Sequence, residues 1–395
     1  MIDIKSHKVT KCQIGGHGNL DEIWRLPRFP LTEMFGPFDP KFPSFDQSLL
    51  IDTESGHVQL ENQLSPEFLY SAADYSYRSG QSSKGLRDEV TFLEFLEPFF
   101  DDGFGTVVEL GGNDLSFARK LLSRSTGVTV IDPVCEQIDG TSVDGINVFG
   151  RFVENVDIRK EIGQVNLIIA RHTLEHVASP LALLEQLFTQ CPDECLFVFE
   201  VPSLSSMCES YRFDAVFHQH YHYFDVDSFK YLIAKAGGSY VSHVDNYQGS
   251  CGGSLLIAFR SQKDVDRCSS GTIDATKRKR DILARIEVFE RQMELTSAMI
   301  ENCEGPLYGY GAGLILATYG YHLKTDFAHF VSILDDDKSK HGSSYRNIDV
   351  KISHPELVEV PEQSNYLITS LESVRPIAKR VLDFTPKRIF VPGVY

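Results

Sequence analysis

Short apolar runs alternate with amphipathic segments across the middle of the chain. The apolar runs have the length of buried strands, and the segments between them carry apolar residues at the three- and four-residue spacing of helices. The strand candidates are "TVVEL", "VTVID", "VNLIIA", "CLFVFEVP" and "GSLLIAF", and the helix candidates are "GLRDEVTFLEFLEPFF", "LSFARKLLSR", "LALLEQLFTQC" and "SFKYLIAKAGG". Strands that alternate with helices of this size predict an α/β fold with a parallel, doubly wound sheet.

The same alternation restarts near the C-terminus. A charged, amphipathic helical stretch over residues 263–303 separates the two regions. Beyond it, the strand candidates are "PLYGYGAG", "FVSILDDD", "YLITS" and "RIFVPGV", and the helix candidates are "LILATYGYHL" and "SVRPIAKRVL". This pattern predicts a second, smaller Rossmann-like domain.

The pattern divides the chain into four segments. A length of 395 residues exceeds what one ordinary hydrophobic core supports. Residues 1–85 are rich in Pro, Phe, Ser and Gly and predict an irregular N-terminal module. We expect the first Rossmann-like domain over 86–260, a helical connector over 261–304 and the second domain over 305–395.

Composition and charge narrow the function classes. Apolar and charged fractions of 42% and 24% are typical of a globular protein. A net charge of −17 argues against nucleic acid and anionic membrane surfaces as partners, because both attract cationic patches. The sequence shows no signal-peptide pattern and no apolar run near ~18 residues, and its eight cysteines are scattered. We therefore expect a cytoplasmic protein with free thiols.

A glycine turn in "VVELGGNDLSFARKLL" indicates a ligand site. The strand ends at Glu109, and glycines allow the backbone to approach a ligand before the helix begins. One strand later, Asp132 stands where a carboxylate can bind ribose hydroxyls. Asp114 would oppose a pyrophosphate at this helix N-terminus but suits a cationic ligand. We therefore predict S-adenosylmethionine as the ligand, with an ordinary strand–turn–helix corner as the alternative. The predicted donor site comprises Glu109, Gly111, Gly112, Asn113, Asp114, Asp132, Arg171 and His172.

The second glycine turn, "LYGYGAG", is a weaker signal. It is compatible either with a nucleotide site or with a Rossmann-like unit that binds nothing. Asp335, in "SILDDDKSKHG", ends the next strand and again occupies the position that suits a ribose.

The segment "FHQHYHYF" (residues 217–224) concentrates histidines. In an extended strand, the period of two places His218, His220 and His222 on one face. A metal site, a catalytic base and a buried strand are all compatible with this pattern. No flanking carboxylate or cysteine completes a ligand set in the sequence, so we predict no metal here.

Together these motifs resemble the S-adenosylmethionine-dependent C-methyltransferases that act on nucleotide-linked 4-keto deoxysugars. The resemblance covers nearly the whole chain. The motifs that carry it occur in the family's order: "YSYRSGQSS", "VVELGGNDLSF", "LEHV", "FEVPSL", "FHQHYHYF", "CGGSLLI", "YGYGA" and "ILDDDKSKHG". It implies an N-terminal zinc module, a central methyltransferase domain and a C-terminal Rossmann-like domain that contributes to acceptor binding.

The resemblance also implies site roles. His220 matches the histidine that removes the proton from the carbon to be methylated, and His176 matches a second pocket histidine. Tyr77, or its neighbour Tyr75, matches a pocket tyrosine. The family's pocket glutamate is Gln219 here, and its pocket tyrosine is Phe217. The acceptor-binding residues therefore differ from the family pattern more than the donor-binding residues do. Further substrate-binding assignments are Tyr75, His218, His222, Gly253, Tyr310 and Asp335.

The zinc ligands implied by the resemblance are mostly missing. Family members use two cysteine pairs, but here only Cys12 remains, and Gly15, Asp52 and Ser55 stand at the other positions. We therefore predict that a zinc ion is absent.

The sequence thus predicts an S-adenosylmethionine-dependent methyltransferase. The favoured acceptor is a nucleotide-linked keto-sugar methylated on carbon. An O- or N-methyltransferase acting on another metabolite, or a donor-binding protein without turnover, are the alternatives.

Overall fold

Two folded units are each assembled from separated parts of the chain in this computed structural model, which describes residues 6–32, 34–69, 83–261 and 273–392. The first unit comprises the described parts of Met1–Ile23, Leu49–Met207 and Gln219–Arg280. The second comprises Trp24–Ser48, Cys208–His218 and Asp281–Tyr395, again where described. The division of the chain into four segments remains a prediction about domains. The boundaries of the two units differ from those of the four segments, because early strands pair with later parts of the chain.

The N-terminal region contains more regular structure than the predicted irregular module. Its elements are β1 (Ser6–Lys8), β2 (Leu20–Pro30), β3 (Ser44–Asp52), β4 (Val58–Leu60), β5 (Asn62–Leu64) and α1 (Pro66–Leu69). β1 pairs with β5, and β4 pairs with β3, both antiparallel. The last six residues of β3, Gln47–Asp52, are buried. These strands were missed because their apolar runs are brief and interrupted by Pro and Gly.

The central sheet belongs to the first unit. Its surrounding helices are α2 (Ser83–Leu96), α3 (Ser116–Leu121), α4 (Ile158–Glu161), α5 (Pro180–Gln190), α6 (Leu204–Glu209) and α7 (Val226–Lys235). Its strands are β6 (Gly105–Leu110), β7 (Ser125–Ile131), β8 (Ser142–Val143), β9 (Ile146–Phe149), β10 (Leu167–Arg171), β11 (Leu196–Pro202), β13 (Ser239–Asn246) and β14 (Ser254–Arg260). Between β11 and β13 the chain forms β12 (His222–Tyr223), which belongs to the N-terminal sheet. The order across the sheet is β13-β14-β11-β10-β6-β7-β9-β8.

Both faces of this sheet are covered. Val108 and Ile168 pack in one hydrophobic cluster, whereas their neighbours Val107 and Ile169 pack in another. Successive residues of a strand point to opposite faces, so two clusters mean two buried faces. This explains why β6, β10 and β11 read as continuous apolar runs.

The sheet reverses its winding next to β6. β6 pairs in parallel with β7 on one side and with β10 on the other. In doubly wound sheets a ligand crevice forms at this switch point, outside the carboxyl ends of the strands. The turns after Leu110, Ile131 and Arg171 therefore form the expected site, and the predicted α/β fold class is confirmed.

An antiparallel hairpin completes the sheet and was not predicted. β14 pairs antiparallel with both β11 and β13. β13 is an edge strand whose eight residues are all at least partly exposed, so its sequence lacks the apolar run of a buried strand.

The second unit carries a smaller parallel sheet. Its elements are α8 (Ala275–Glu301), which begins in the first unit, β15 (Leu307–Tyr310), α9 (Leu316–His322), β16 (Ile333–Leu334), β17 (Ser344–Tyr345), β18 (Ile348–Ser353), β19 (Asn365–Ile368), α10 (Val374–Leu382) and β20 (Arg388–Phe390). The sheet order is β17-β18-β16-β15-β19-β20, and only the β17–β18 pair is antiparallel among these described strands. This is the predicted Rossmann-like arrangement. No helix within the described ranges has both the length and the apolarity needed to cross a membrane.

Candidate active site

The turn after β6 is shaped by Gly111. Its φ is +77°, a conformation that favours glycine. A Cβ at this position would lie 2.2 Å from the hydroxyl of Thr173, which donates hydrogen bonds to the carbonyls of Leu110 and Arg171. The glycine therefore lets the turns after β6 and β10 approach each other at the switch point.

Asp132 ties the next turn to the first. Its two carboxylate oxygens accept hydrogen bonds from the backbone N–H groups of Asn113 and Val134, each at 2.8 Å. The side chain is 6% exposed and lines the crevice. A carboxylate oxygen can accept more than one hydrogen bond, so Asp132 can still bind hydroxyl groups of a ligand.

A cleft that is partly open to solvent lies at the predicted switch point. Seven of the eight predicted donor-site residues line it, together with His176. They are Glu109, Gly111, Gly112, Asn113, Asp132, Arg171 and His172. Asp114 does not line it; its carboxylate accepts a hydrogen bond from the backbone N–H of Ser116 at 3.1 Å and so supports the start of α3.

Several lining residues were missed from the sequence. They are chiefly Asp88, Thr173 and Ser250, and the apolar group Val134, Phe152 and Val153. Ser250 donates a hydrogen bond of 2.6 Å to Asp88. Phe152 and Val153 follow β9, whose short run "INVF" was the available signal. They give the cleft an apolar region next to the turn that carries Asp132.

The cleft is acidic. Four carboxylates line it: Asp88, Glu109, Asp132 and Glu154. Arg171 is the one arginine among the described lining residues, and it forms an ion pair of 3.0 Å with the buried Glu200. The field therefore favours a cationic ligand and disfavours a pyrophosphate.

Glu109 lines the cleft with a buried carboxylate oxygen that is not hydrogen-bonded within the described residues. The residue is 2% exposed, and its Oε2 has no hydrogen-bond partner among the described residues. Burial raises the pKa of Glu109 to about 8, although Arg171 opposes the rise. A cationic group with N–H donors, placed in the cleft, would satisfy this oxygen and stabilise the ionised form.

A second buried carboxylate faces two histidines. Glu175 is 0% exposed, and neither of its oxygens has a hydrogen-bond partner within the described ranges. Its Oε1 lies 3.4 Å from Nδ1 of His172 and 3.8 Å from Nε2 of His176. Burial lowers the pKa of His172, but the interaction with Glu175 and the charge of Glu200 outweigh burial and raise it. Glu175 thus stabilises positive charge at this end of the cleft.

His176 and His220 form a pair beside Glu175. Their ring centroids are 4.9 Å apart, with an edge-to-face arrangement. His176 donates a hydrogen bond of 2.7 Å from Nδ1 to the carbonyl of Gln219, so in the neutral ring Nε2 carries the lone pair. Burial and the nearby His176 and His172 hold the pKa of His220 well below its usual value. His220 is therefore neutral, as a proton acceptor must be.

The three histidines of "FHQHYHYF" do not share a face. Only His222 and Tyr223 are in a strand, and a turn at residues 218–219 breaks the period of two. The expectation of one extended strand is wrong for this reason. The histidines occupy separate surroundings, so they form no common metal site.

His218 and His222 are held by structural hydrogen bonds. His218 accepts a bond from Gln47 and donates one to the carbonyl of Phe29, both 3.1 Å. His222 contacts Nε2 of His57 at 3.1 Å and donates to the carbonyl of Val177 at 3.0 Å. Burial lowers the pKa of His218 to about 4 and that of His222 to about 3. Neither lines the cleft.

The other predicted substrate-binding residues lie elsewhere. Gly253 has a φ of +128° and packs its backbone against Ser206. In the second unit, Tyr310 donates a hydrogen bond to Asp336. Asp335 accepts bonds from the Ala312 backbone and from Lys340. Tyr75 and Tyr77 lie outside the described residues.

Two clusters within the described part of the chain could hold a metal ion. Glu175, His176 and His220 bring ligand atoms within 4.8 Å of one another, and so do Cys12, His17 and Asp52 in the N-terminal region. A carboxylate and two imidazoles, as in the cluster of Glu175, His176 and His220, can serve either as metal ligands or as acid–base groups.

Comparison with known proteins identifies a methyltransferase domain in the part of the chain that carries most of the cleft. Residues 80–243 match the family described as "Methyltransferase domain". No curated protein matches the chain. Among solved structures, the N-methyltransferase NodS from Bradyrhizobium japonicum is 15% identical, with 46% of this chain and 97% of NodS covered and a TM-score of 0.34. The 1,6-didemethyltoxoflavin-N1-methyltransferase of Burkholderia thailandensis is 13% identical, with 57% and 98% covered and a TM-score of 0.38. Likenesses at this level carry no information about the substrate.

The matched segment contains most of the residues that line the switch-point cleft, including Asp88, Glu109, Asp132 and Glu154. The predicted enzyme class, a methyltransferase, and the predicted donor, S-adenosylmethionine, are confirmed.

The donor pocket gives a first mutational prediction. Replacing Asp132 by alanine should weaken S-adenosylmethionine binding about tenfold or more, because hydrogen bonds to a charged acceptor are lost. Isothermal titration calorimetry measures this directly. Asp144→Ala is the matched control, since Asp144 is an exposed aspartate that pairs with Arg119 outside the cleft. Unchanged affinity in a folded Asp132→Ala protein would remove this residue from the donor site.

Glu109 gives a pH prediction. Its raised pKa means that the empty domain loses stability as pH rises from about 4.5 to about 8. A cationic donor binds the ionised form, so donor affinity should increase with pH up to about 8, by at most about tenfold per pH unit. Calorimetry across this range should show the increase in the natural protein and a flatter profile in Glu109→Gln. Equal slopes in both proteins would contradict the assignment.

Proposed function

We propose that this protein methylates carbon in a nucleotide-linked keto-sugar, with S-adenosylmethionine as the donor. The observation that carries the proposal is the pair His176–His220, one member lining an acidic donor cleft and the other buried and neutral. The sugar acceptor is supported by the ordered motifs that resemble sugar C-methyltransferases, from "VVELGGNDLSF" to "ILDDDKSKHG".

The donor fits the residues of the cleft. Asp132 would bind the ribose hydroxyls, and Val134, Phe152 and Val153 would contact the adenine. The unsatisfied oxygen of Glu109 would accept a hydrogen bond from the amino group of the methionine part. When bound, S-adenosylmethionine supplies an electrophilic methyl group on a sulfonium centre.

His220 would act as the general base. A C–H bond next to a ketone is a weak acid, so the base must be neutral and held against the proton it removes. The proton would move to the imidazole, and the electron pair would pass into the carbonyl as an enolate. The enolate carbon would then form a bond to the methyl carbon as the carbon–sulfur bond breaks, and the imidazolium would return its proton to solvent.

Glu175 would stabilise the charge that this step creates. Its Oε1 lies within 4 Å of a ring nitrogen of both His172 and His176, and His176 contacts His220. In a buried environment such a carboxylate stabilises a neighbouring imidazolium. Glu175 would thus supply the acidic partner that the family glutamate provides and that Gln219 cannot.

Product analysis tests the proposal. The protein would be incubated with a nucleotide-linked 4-keto-6-deoxysugar and S-adenosylmethionine labelled with carbon-13 in the methyl group. The proposal predicts a carbon-13 resonance of a methyl group bonded to carbon. A resonance of a methyl group bonded to oxygen or nitrogen would contradict the proposal and support one of the alternative transferase activities. No transfer to any keto-sugar, with donor binding intact, would also contradict it.

A further inference from the structure

Two tight loops near the N-terminus bring Cys12, His17 and Asp52 together. The backbone N–H of Cys12 donates to the carbonyl of His17 at 2.7 Å, which closes the first loop. The N–H of Asp52 donates to the carbonyl of His57 at 2.8 Å, which closes the second. The Cys12 thiol, a His17 ring nitrogen and an Asp52 oxygen lie within 4.8 Å of one another. None of these three residues lines the methyltransferase cleft.

His17 occupies the space of the side chain that Gly15 lacks. A Cβ built on Gly15 would lie 2.3 Å from Nε2 of His17. Gly15 is one of the positions where the resemblance places a zinc-binding cysteine. The expectation that zinc is absent rests on those positions alone, whereas His17, two residues further along the chain, places an imidazole in this space.

Asp52 has one satisfied and one unsatisfied oxygen. Oδ2 accepts hydrogen bonds from the Ser55 backbone N–H at 2.7 Å and from the Ser55 hydroxyl at 2.5 Å. Oδ1 has no hydrogen-bond partner among the described residues, although Asp52 is 0% exposed. A buried carboxylate oxygen is costly unless a donor or a cation faces it.

Oδ1 and the nearest histidine nitrogen are close but not hydrogen-bonded. Nδ1 of His17 lies 3.1 Å from Oδ1, and neither atom has a hydrogen-bond partner within the described ranges. Two ligands held tetrahedrally by bonds of about 2.0 Å lie about 3.3 Å apart. The separation therefore fits two atoms that face a common third atom.

The other nitrogen of His17 has partners of its own. Nε2 lies 3.4 Å from the hydroxyl of Tyr231 and 3.5 Å from a carboxylate oxygen of Glu54. A proton on Nε2 serves these oxygens and leaves the Nδ1 lone pair directed at the cluster. Metal-binding histidines are held in this way by an outer carboxylate.

The charges balance around a divalent ion. A thiolate at Cys12, a carboxylate at Asp52 and a neutral imidazole at His17 carry two negative charges. Cys12 is 1% exposed. A metal ion that binds the Cys12 sulfur would displace the thiol proton.

We propose that Cys12, His17 and Asp52 bind a zinc ion, with Ser55 orienting Asp52 and a fourth position open to water. The ligand types and their spacing are those of zinc sites with nitrogen, oxygen and sulfur donors. The ion would join the two loops and stabilise the fold, and it has no part in the proposed methyl transfer.

Metal content tests the proposal first. The full-length protein, purified without chelator and dialysed, should retain about one zinc per chain, measured by mass spectrometry of the metal. Cys12→Ser and His17→Gln should each lose it. Cys303→Ser, in the second unit, is the matched control and should retain it. Metal-free natural protein, or zinc unaffected by the first two changes, would overturn the proposal.

Cobalt substitution tests the ligands. After zinc removal, cobalt(II) should produce near-ultraviolet thiolate-to-metal absorption in the natural protein and in Cys303→Ser but not in Cys12→Ser. His17→Gln should weaken cobalt binding by more than the ~10–100-fold typical of losing an outer-shell partner. The double change Gly15→Cys with His17→Ala places a thiol in the space of the imidazole and should restore binding with stronger thiolate absorption. Cobalt bound without thiolate absorption would place the metal elsewhere and contradict the assignment.

Discussion

Replacing His220 by alanine should lower turnover with a nucleotide-linked keto-sugar by ~10²–10⁴, the usual cost of losing a general base. Donor affinity should stay unchanged, because His220 does not line the donor cleft. Steady-state kinetics and calorimetry on the same preparation separate the two quantities. His218→Ala is the control: it removes a histidine from the same segment whose hydrogen bonds are structural. Near-normal turnover of His220→Ala, or a larger loss in a folded His218→Ala, would contradict the role.

The pH profile sharpens this prediction. His220 must be neutral to accept a proton, and its pKa lies well below the usual value because of burial and its histidine neighbours. The acid limb of the rate profile should therefore lie at low pH. Gln219→Glu adds a carboxylate next in sequence, which should stabilise the imidazolium and move that limb to higher pH. A profile that does not move, in a folded and active variant, would argue against His220 as the titrating group.

Replacing Gly111 by alanine should destabilise the first unit by about 2–5 kcal/mol, the sum of a left-handed conformation and an overpacked contact. The new methyl group would lie 2.2 Å from the Thr173 hydroxyl and would force the turns after β6 and β10 apart. Urea denaturation measures the loss, and donor binding should weaken with it.

Gly127→Ala is the matched control for Gly111→Ala. Gly127 lies in β7 of the same sheet, and a Cβ there would meet no atom within 4 Å. The free energy of unfolding of the Gly127→Ala protein should change by well under ~1 kcal/mol, as is usual for a substitution that makes no clash. Equal destabilisation by both changes would show that the φ and the contact of Gly111 are unimportant.

The donor half of the site was predictable because its signals are local. A buried strand, a pair of glycines and a helix follow one another directly, and the spacing from Glu109 to Asp132 is set by one strand–helix–strand unit. Parallel strands place their carboxyl ends together, so the sequence predicts that these residues meet.

The remainder depends on contacts that are distant in sequence. The turn at residues 218–219 sends three alternating histidines to different surroundings, which a period of two cannot anticipate. Glu175 gains significance only when "LEHV" folds against His220. β13 was missed because an edge strand lacks a continuous apolar run, and His17 was missed because it reaches the space of Gly15 from outside the expected spacing.

Solvent exchange at the acceptor carbon tests the central claim most directly. The protein would be incubated in deuterium oxide with S-adenosylhomocysteine and a nucleotide-linked 4-keto-6-deoxysugar, and the proton next to the ketone followed by nuclear magnetic resonance. Removal of that proton by His220 predicts deuterium incorporation with the natural protein and none above background with His220→Ala. Methyl transfer from S-adenosylmethionine to the same acceptor without any such exchange, or undiminished exchange in the His220→Ala protein, would contradict the account.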